Sequence, residues 1–199
     1  MSFLANALKP SDSLKRLAKI SVWLFLLAEW ALVLLLLAKL LGADYSLEYV
    51  RKEVANDLTL FYRIAALWGG QAGSLLLWAA LTGVAAAILG REENPWAGFI
   101  GALPMALFGS LVLFSNPFAP AKAVVSDGVG MNPLLRNVWM VFHPPAIYLG
   151  YVFSVLPFAY SFVYALEGSA EALRKARAWG LAALFFLGLG IFLGGRWSY

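Results

Sequence analysis

Residues 132–151 read NPLLRNVWMVFHPPAIYLGY and hold the chain's only histidine, His143, followed at once by two prolines and an apolar run. Asn132 and Pro133 make a helix start: a capping side chain, then a residue whose fixed φ suits a first turn. Leu134, Leu135, Val138, Trp139 and Phe142 recur at helical spacing, with Arg136 and Asn137 on the opposite face. That pattern predicts a short amphipathic helix on a membrane surface, with Trp139 as its interfacial anchor. A residue before proline is pushed out of the α region, and Pro144 and Pro145 suit the opening of a new helix. His143 is therefore expected at a stiff corner between a surface helix and a spanning one.

The rest of the 199 residues sets the medium in which that corner sits. The chain is 62% hydrophobic and 13% charged, with a mean hydropathy of +0.77. This predicts an all-α, polytopic helical membrane protein with about five transmembrane helices and short amphipathic surface helices in the outer loops. The spans are expected near residues 20–41, 63–89, 97–114, 144–166 and 179–193, as one membrane module over 1–199 without a soluble domain. Pro104 and Pro157 mark expected kinks. Leu47, Val50, Val54 and Leu58 are spaced for a surface helix in the first outer loop.

Lys9, Lys15, Arg16 and Lys19 precede the first span, and Arg174, Lys175 and Arg177 follow the fourth. The positive-inside rule then puts the N-terminus in the cytoplasm and His143 and the C-terminus on the outer side of the cell membrane. Basic residues on the other side leave the bias modest. The basic residues flank apolar runs and form no stripe, so the net charge of +4 predicts contact with membrane lipid and no nucleic-acid partner. With no cysteine, the chain cannot carry out thiol–disulfide exchange or hold an iron–sulfur cluster.

Four features could carry chemistry. Gly69 and Gly73 stand four apart, and Gly70, Ala72 and Ser74 keep that part of the helix thin, either for helix packing or for approach of a flat ligand. Gly190 and Gly194 invite the same two readings. Glu29, near the middle of the first span, must face protein or water, as a structural hydrogen-bonding group or a functional one, whereas Lys39 near the outer end is read as snorkelling. His143 is either an interfacial histidine bonded to nearby backbone or a metal or haem axial ligand. A lone histidine cannot bind haem on both sides, so a second ligand would come from another polypeptide.

Five blocks, WGGQAGSLLLW (68–78), SNPF (115–118), NPLLR (132–136), HPPAIYLGY (143–151) and the terminal 188–199, occur in this order. Together they resemble the amino-terminal part of the CcmF family, the large membrane subunit of system I cytochrome c maturation haem lyases, which includes CycK and relatives in nitrite-reductase assembly. The resemblance implies that His143 is an axial ligand to haem b, as substrate or bound cofactor, at the outer membrane surface, with Trp139, Pro144, Pro145 and Tyr148 around it. It also implies that Trp68, Gly69, Gly70, Gly73 and Trp78 serve packing or haem approach. The implied reaction is thioether formation between haem vinyl groups and the CxxCH cysteines of apocytochrome c, with a haem chaperone as a further partner. In the family a tryptophan-rich WWD loop and further histidines follow the last block, and here the sequence ends at Tyr199. The expectation is a split lyase whose second membrane polypeptide carries them, or a shortened chain. The family also usually has a helix before the first span, and a glutamate where this chain has Ala72. The competing readings are a transporter or channel subunit, with Glu29 and Gln71 lining a pathway, and a purely structural subunit.

Overall fold

The structure is a computed structural model describing residues 11–123 and 125–198. Lys9, one of the basic residues used to orient the chain, lies outside them. Seven α-helices form among the described residues: α1 (Asp12–Leu41), α2 (Glu48–Glu53), α3 (Leu60–Gly69), α4 (Gln71–Leu89), α5 (Pro95–Ser115), α6 (Val138–Glu167) and α7 (Ala170–Trp197). Five of them, α1, α4, α5, α6 and α7, are long and apolar enough to cross a membrane, matching the expected number.

Each long helix begins on a side chain that accepts from an orphan backbone N–H, except α4. Ser11 caps α1, Asn94 with Pro95 at the first position opens α5, Asn137 caps α6 and Ser169 caps α7. Gly168 in the left-handed region (φ 69°) ends α6 directly before that last cap, so α6 and α7 form a tight antiparallel hairpin. Arg174, Lys175 and Arg177, expected in a connection, therefore lie within the first turns of α7.

Further sequence expectations change. The first concerns His143: Asn132 caps only a 3-10 turn, Pro133–Leu135, and α6 runs unbroken from Val138 through His143, Pro144 and Pro145. There is no corner. The second is the predicted span at 63–89, which is two helices, broken at Gly70 (φ −118°, ψ 163°). The third is the surface helix of the first outer loop, which stops at Glu53; Val50, Val54 and Leu58 are buried in the protein and not laid on lipid.

α4 is the central helix and the most enclosed. α1 lies along it, with Leu26 against Gly83, and touches α5 where the Phe25 ring occupies the space beside Gly109. One core cluster joins α1 (Val33, Leu36, Leu40), the α2 region (Val50, Val54) and α3 and α4 (Ala66, Leu76). A second joins α4 and α5 (Leu89, Ile100) to α6 and α7 (Leu156, Ala176). Inside a bilayer, lipid is as apolar as leucine, so these contacts stabilise by close packing, and alanines such as Ala65, Ala79 and Ala85 let the helices approach. Glu29 does face protein: it is 6% exposed, and its Oε2 has no hydrogen-bond partner among the described residues. Lys39 does more than snorkel, pairing with Asp44 at 2.7 Å and holding that carboxyl down at about 2.

The two long connections fold onto each other at one end of the bundle. Glu48 N–H donates to Ala119 O (2.9 Å), Ala121 N–H to Ser46 O (2.8 Å) and Val129 N–H to Arg51 O (2.7 Å). Arg136 pairs with Asp57 at 3.2 Å, and Arg63 donates to Leu58 O and Leu41 O. At the opposite end, Lys175 Nζ on α7 lies 2.9 Å from both oxygens of Glu92 in the α4–α5 turn, and Tyr160 Oη donates to the same carboxylate at 2.9 Å. Both charges are about two-thirds buried or more, so their loss should be felt. We expect Glu92→Gln to lower stability in detergent by about 1–2 kcal/mol, since it weakens two charge-assisted bonds. An unchanged unfolding midpoint would show that the pair does not fasten the hairpin to the bundle.

Candidate functional site

His143 lies in the second turn of α6 and turns toward α7. The two helices run antiparallel in close contact: a Cβ at Gly150 would meet Leu187, one at Gly190 would lie 3.0 Å from Ile147 Cα, and one at Gly194 would lie 2.8 Å from His143 Cε1. Gly190 and Gly194 thus serve the packing reading of their spacing, and Gly194 leaves the volume the imidazole ring fills.

His143 Nδ1 is 2.7 Å from Gly190 O. A carbonyl oxygen can only accept, so Nδ1 carries the proton and the lone pair of a neutral ring resides on Nε2. A backbone carbonyl that fixes tautomer and orientation is what a metal-ligating imidazole needs behind it. The Trp197 ring lies 6.0 Å from the imidazole, tilted by 33°. One turn before His143, Trp139 carries the Arg196 guanidinium over its face at 5.7 Å.

The prolines act through backbone chemistry. Pro144 has no N–H to give Met140 O, and the indole Nε1 of Trp68 donates to that oxygen at 3.4 Å. A neighbouring helix so replaces part of the missing ladder, and α6 continues where the sequence suggested a corner. Trp68 thereby links the glycine-rich break to the turn that carries His143.

The break itself is built around Tyr49 of α2. Its hydroxyl donates toward Ala66 O (2.8 Å) and accepts from Gly70 N–H (3.2 Å), satisfying groups that the interrupted helix leaves unpaired. Burial pushes the Tyr49 phenol well above its ordinary range, so it remains a neutral donor. Glu53, its carboxyl raised by burial, lies against Gly70, and Met131 lies against Gly69. Side chains of Glu53, Tyr49 and Met131 thus lie close beside Gly69, Gly70 and Gly73.

The sequence-predicted residues therefore divide. His143 and Trp139 share one face of α6, Trp68 donates to the Met140 carbonyl that Pro144 cannot bond, and Pro145 follows within the helix. Tyr148 turns instead to α4, donating to Ser74 Oγ at 3.2 Å and meeting Trp78 edge-on at 5.1 Å, so this pair stands apart from the imidazole. Arg196, Trp197 and Tyr49 join the site without a role of their own in the sequence reading, whereas the Gly190–Gly194 spacing did signal the helix contact; nothing in the sequence marks Tyr49. Among the described residues no group of three or more His, Asp or Glu side chains could hold a metal, so iron at His143 would find one protein ligand here.

The fold and this site define a multi-pass helical membrane protein that presents one imidazole, fixed in tautomer, at the loop-covered end of its bundle. Residues 68–199 match the family described as Cytochrome C assembly protein. The Cytochrome c-type biogenesis protein ccl1 of Rhodobacter capsulatus is 35% identical over 187 residues, covering 87% of this chain and 29% of that protein. The Cytochrome c-type biogenesis protein CcmF of Escherichia coli is 34% identical over 193 residues, covering 92% and 30%. Among solved structures, the Cytochrome c Heme Lyase CcmF superimposes with a TM-score of 0.76 at 26% identity, covering 96% of this chain and 32% of that one. The chain belongs to the cytochrome c assembly protein family and spans about 30% of the length of the curated relatives it matches.

Proposed function

We propose that this chain is the part of a cytochrome c haem lyase that offers His143 Nε2 as one axial ligand to haem b, the substrate, at the outer membrane face. The observation that carries this reading is the 2.7 Å contact between Nδ1 and Gly190 O, which leaves Nε2 as the ring's only lone pair. The residues fit a haem ligand: the imidazole is half-buried, the Trp197 ring lies beside it, and no protein donor among the described residues occupies Nε2. The sequence has one histidine, so the opposite axial ligand comes from outside it. We assign that ligand to a segment outside these 199 residues that carries the WWD loop and further histidines, with apocytochrome c and a haem chaperone completing the assembly.

In the lyase reaction an S–H of the apocytochrome adds across each vinyl group, forming an S–C bond and placing the hydrogen on the neighbouring carbon. This chain has no cysteine and supplies no thiol. Its residues orient and hold: Gly190 O fixes the ring, Trp197 limits its rotation, and Trp68 supports the turn beneath it. Positioning of this kind lowers a barrier by converting encounter into a unimolecular step. Lys15, Arg16 and Lys19 at the far end of α1 support a cytoplasmic N-terminus and an outward His143.

The test is His143→Gly in the complex purified from membranes. We expect the haem ligand-field bands to shift and haem content to fall at least tenfold, with recovery when millimolar imidazole fills the vacated space. Bands and haem content unchanged by the substitution would sink the ligand assignment.

A further inference from the structure

We infer that Arg196 is the carboxylate-binding residue of the His143 site, holding a propionate of the haem that His143 ligates; this rests on the reading of His143 above. Haem offers two chemistries to a protein, an iron for an imidazole and two carboxylates at the porphyrin edge for cations. An imidazole alone leaves rotation about the iron–nitrogen bond open, whereas a cation on the same face closes it.

Arg196 is placed for this. It sits two residues beyond Gly194, which receives the His143 ring, and its guanidinium lies 5.7 Å over Trp139, one helical turn from His143 on α6. The indole face holds the guanidinium by cation–π attraction, which uses none of its N–H donors, and a guanidinium's planar fork suits bidentate recognition of a carboxylate. Competing cations at this end are engaged elsewhere. Arg51 and Lys52 pair with Glu48, Lys39 with Asp44 and Arg136 with Asp57, and Arg63 donates to backbone carbonyls. Lys122 lies on the connection between α5 and α6. Among the described residues Arg196 makes no ion pair, and of all these cations only it adjoins the imidazole through Trp139 and Trp197.

A guanidinium near a bilayer surface also attracts lipid phosphate, so the test must separate the two anions. The full chain in nanodiscs of zwitterionic lipid is titrated with ferrous haem and with its dimethyl ester, whose propionates are uncharged, carbon monoxide taking the sixth position. For the wild type, esterification is expected to weaken binding about five- to tenfold, a modest figure because Arg196 is exposed. For Arg196→Gln the two ligands should bind within twofold of each other, while Arg196→Lys keeps part of the difference. Each ratio is taken within one variant, so a misfolded fraction cancels. Equal ratios in wild type and Arg196→Gln overturn the inference, as does a variant that weakens both ligands alike, the signature of a lipid or packing role. Failure of the His143 reading looks different: His143→Ala would then leave the Soret band of the adduct in place whatever the ester ratio shows. Absence of any binding by the wild-type chain overturns both.

Discussion

Gly73→Ala is expected to destabilise the protein by about 3 kcal/mol or more. The added Cβ would overlap Leu67 O and the Tyr49 hydroxyl together. The first is backbone of the preceding helix and cannot swing aside. The second is the group that satisfies Ala66 O and Gly70 N–H across the break, so moving it exposes buried polar atoms at about 1–3 kcal/mol each. Tyr49→Phe isolates that second contribution: it keeps the ring and removes only the hydroxyl. The double variant should cost less than the sum of the singles, because once the hydroxyl is gone the new methyl has one obstacle fewer. Unfolding midpoints of the four proteins in one detergent decide this. A neutral Gly73→Ala would mean that the break is not closed around Tyr49.

Gly194→Leu is expected to lower haem affinity of the assembled complex ten- to a hundredfold, approaching the loss from removing His143 itself. A Cβ at 194 would lie 2.8 Å from Cε1 and 2.9 Å from Nδ1 of the ring. The imidazole is the movable partner, so it leaves Gly190 O, and the tautomer is no longer determined. Losing such a carbonyl typically weakens a metal–imidazole bond by that factor. Gly195→Leu is the matched control, since nothing lies within 4 Å of its added Cβ. It should insert, fold and bind haem as the wild type does. Were both variants equally impaired, bulk at the end of α7 would explain the loss, and the specific role of Gly194 would be refuted.

These two glycines mark where local sequence reasoning ran out. Gly190 and Gly194 were legible as a small-residue stripe, because spacing by four is a property of one helix. Gly69 and Gly73 have the same spacing, yet a break at Gly70 lies between them. Nothing in WGGQAG distinguishes a thin helix from an interrupted one. The difference is supplied by Tyr49, about twenty residues upstream, whose hydroxyl satisfies the backbone groups the break leaves unpaired. Val50, Val54 and Leu58 show the same limit in reverse: helical spacing of apolar residues says that a face is buried, and lipid and protein read alike as the medium that buries it.

Composition and hydropathy alone determined that the chain is all-helical, that five of its helices can cross a membrane and in what order they come, since no other backbone arrangement of these lengths satisfies its own polar groups in lipid. The block order determined the family. The conformation at His143 was decided by tertiary structure. A histidine before two prolines should leave the α region, and it remains helical because Trp68 donates to the carbonyl that Pro144 abandons while Gly190 and Gly194 of α7 hold the ring. A proline's missing hydrogen bond is a local fact, but whether another group replaces it depends on which helix lies alongside.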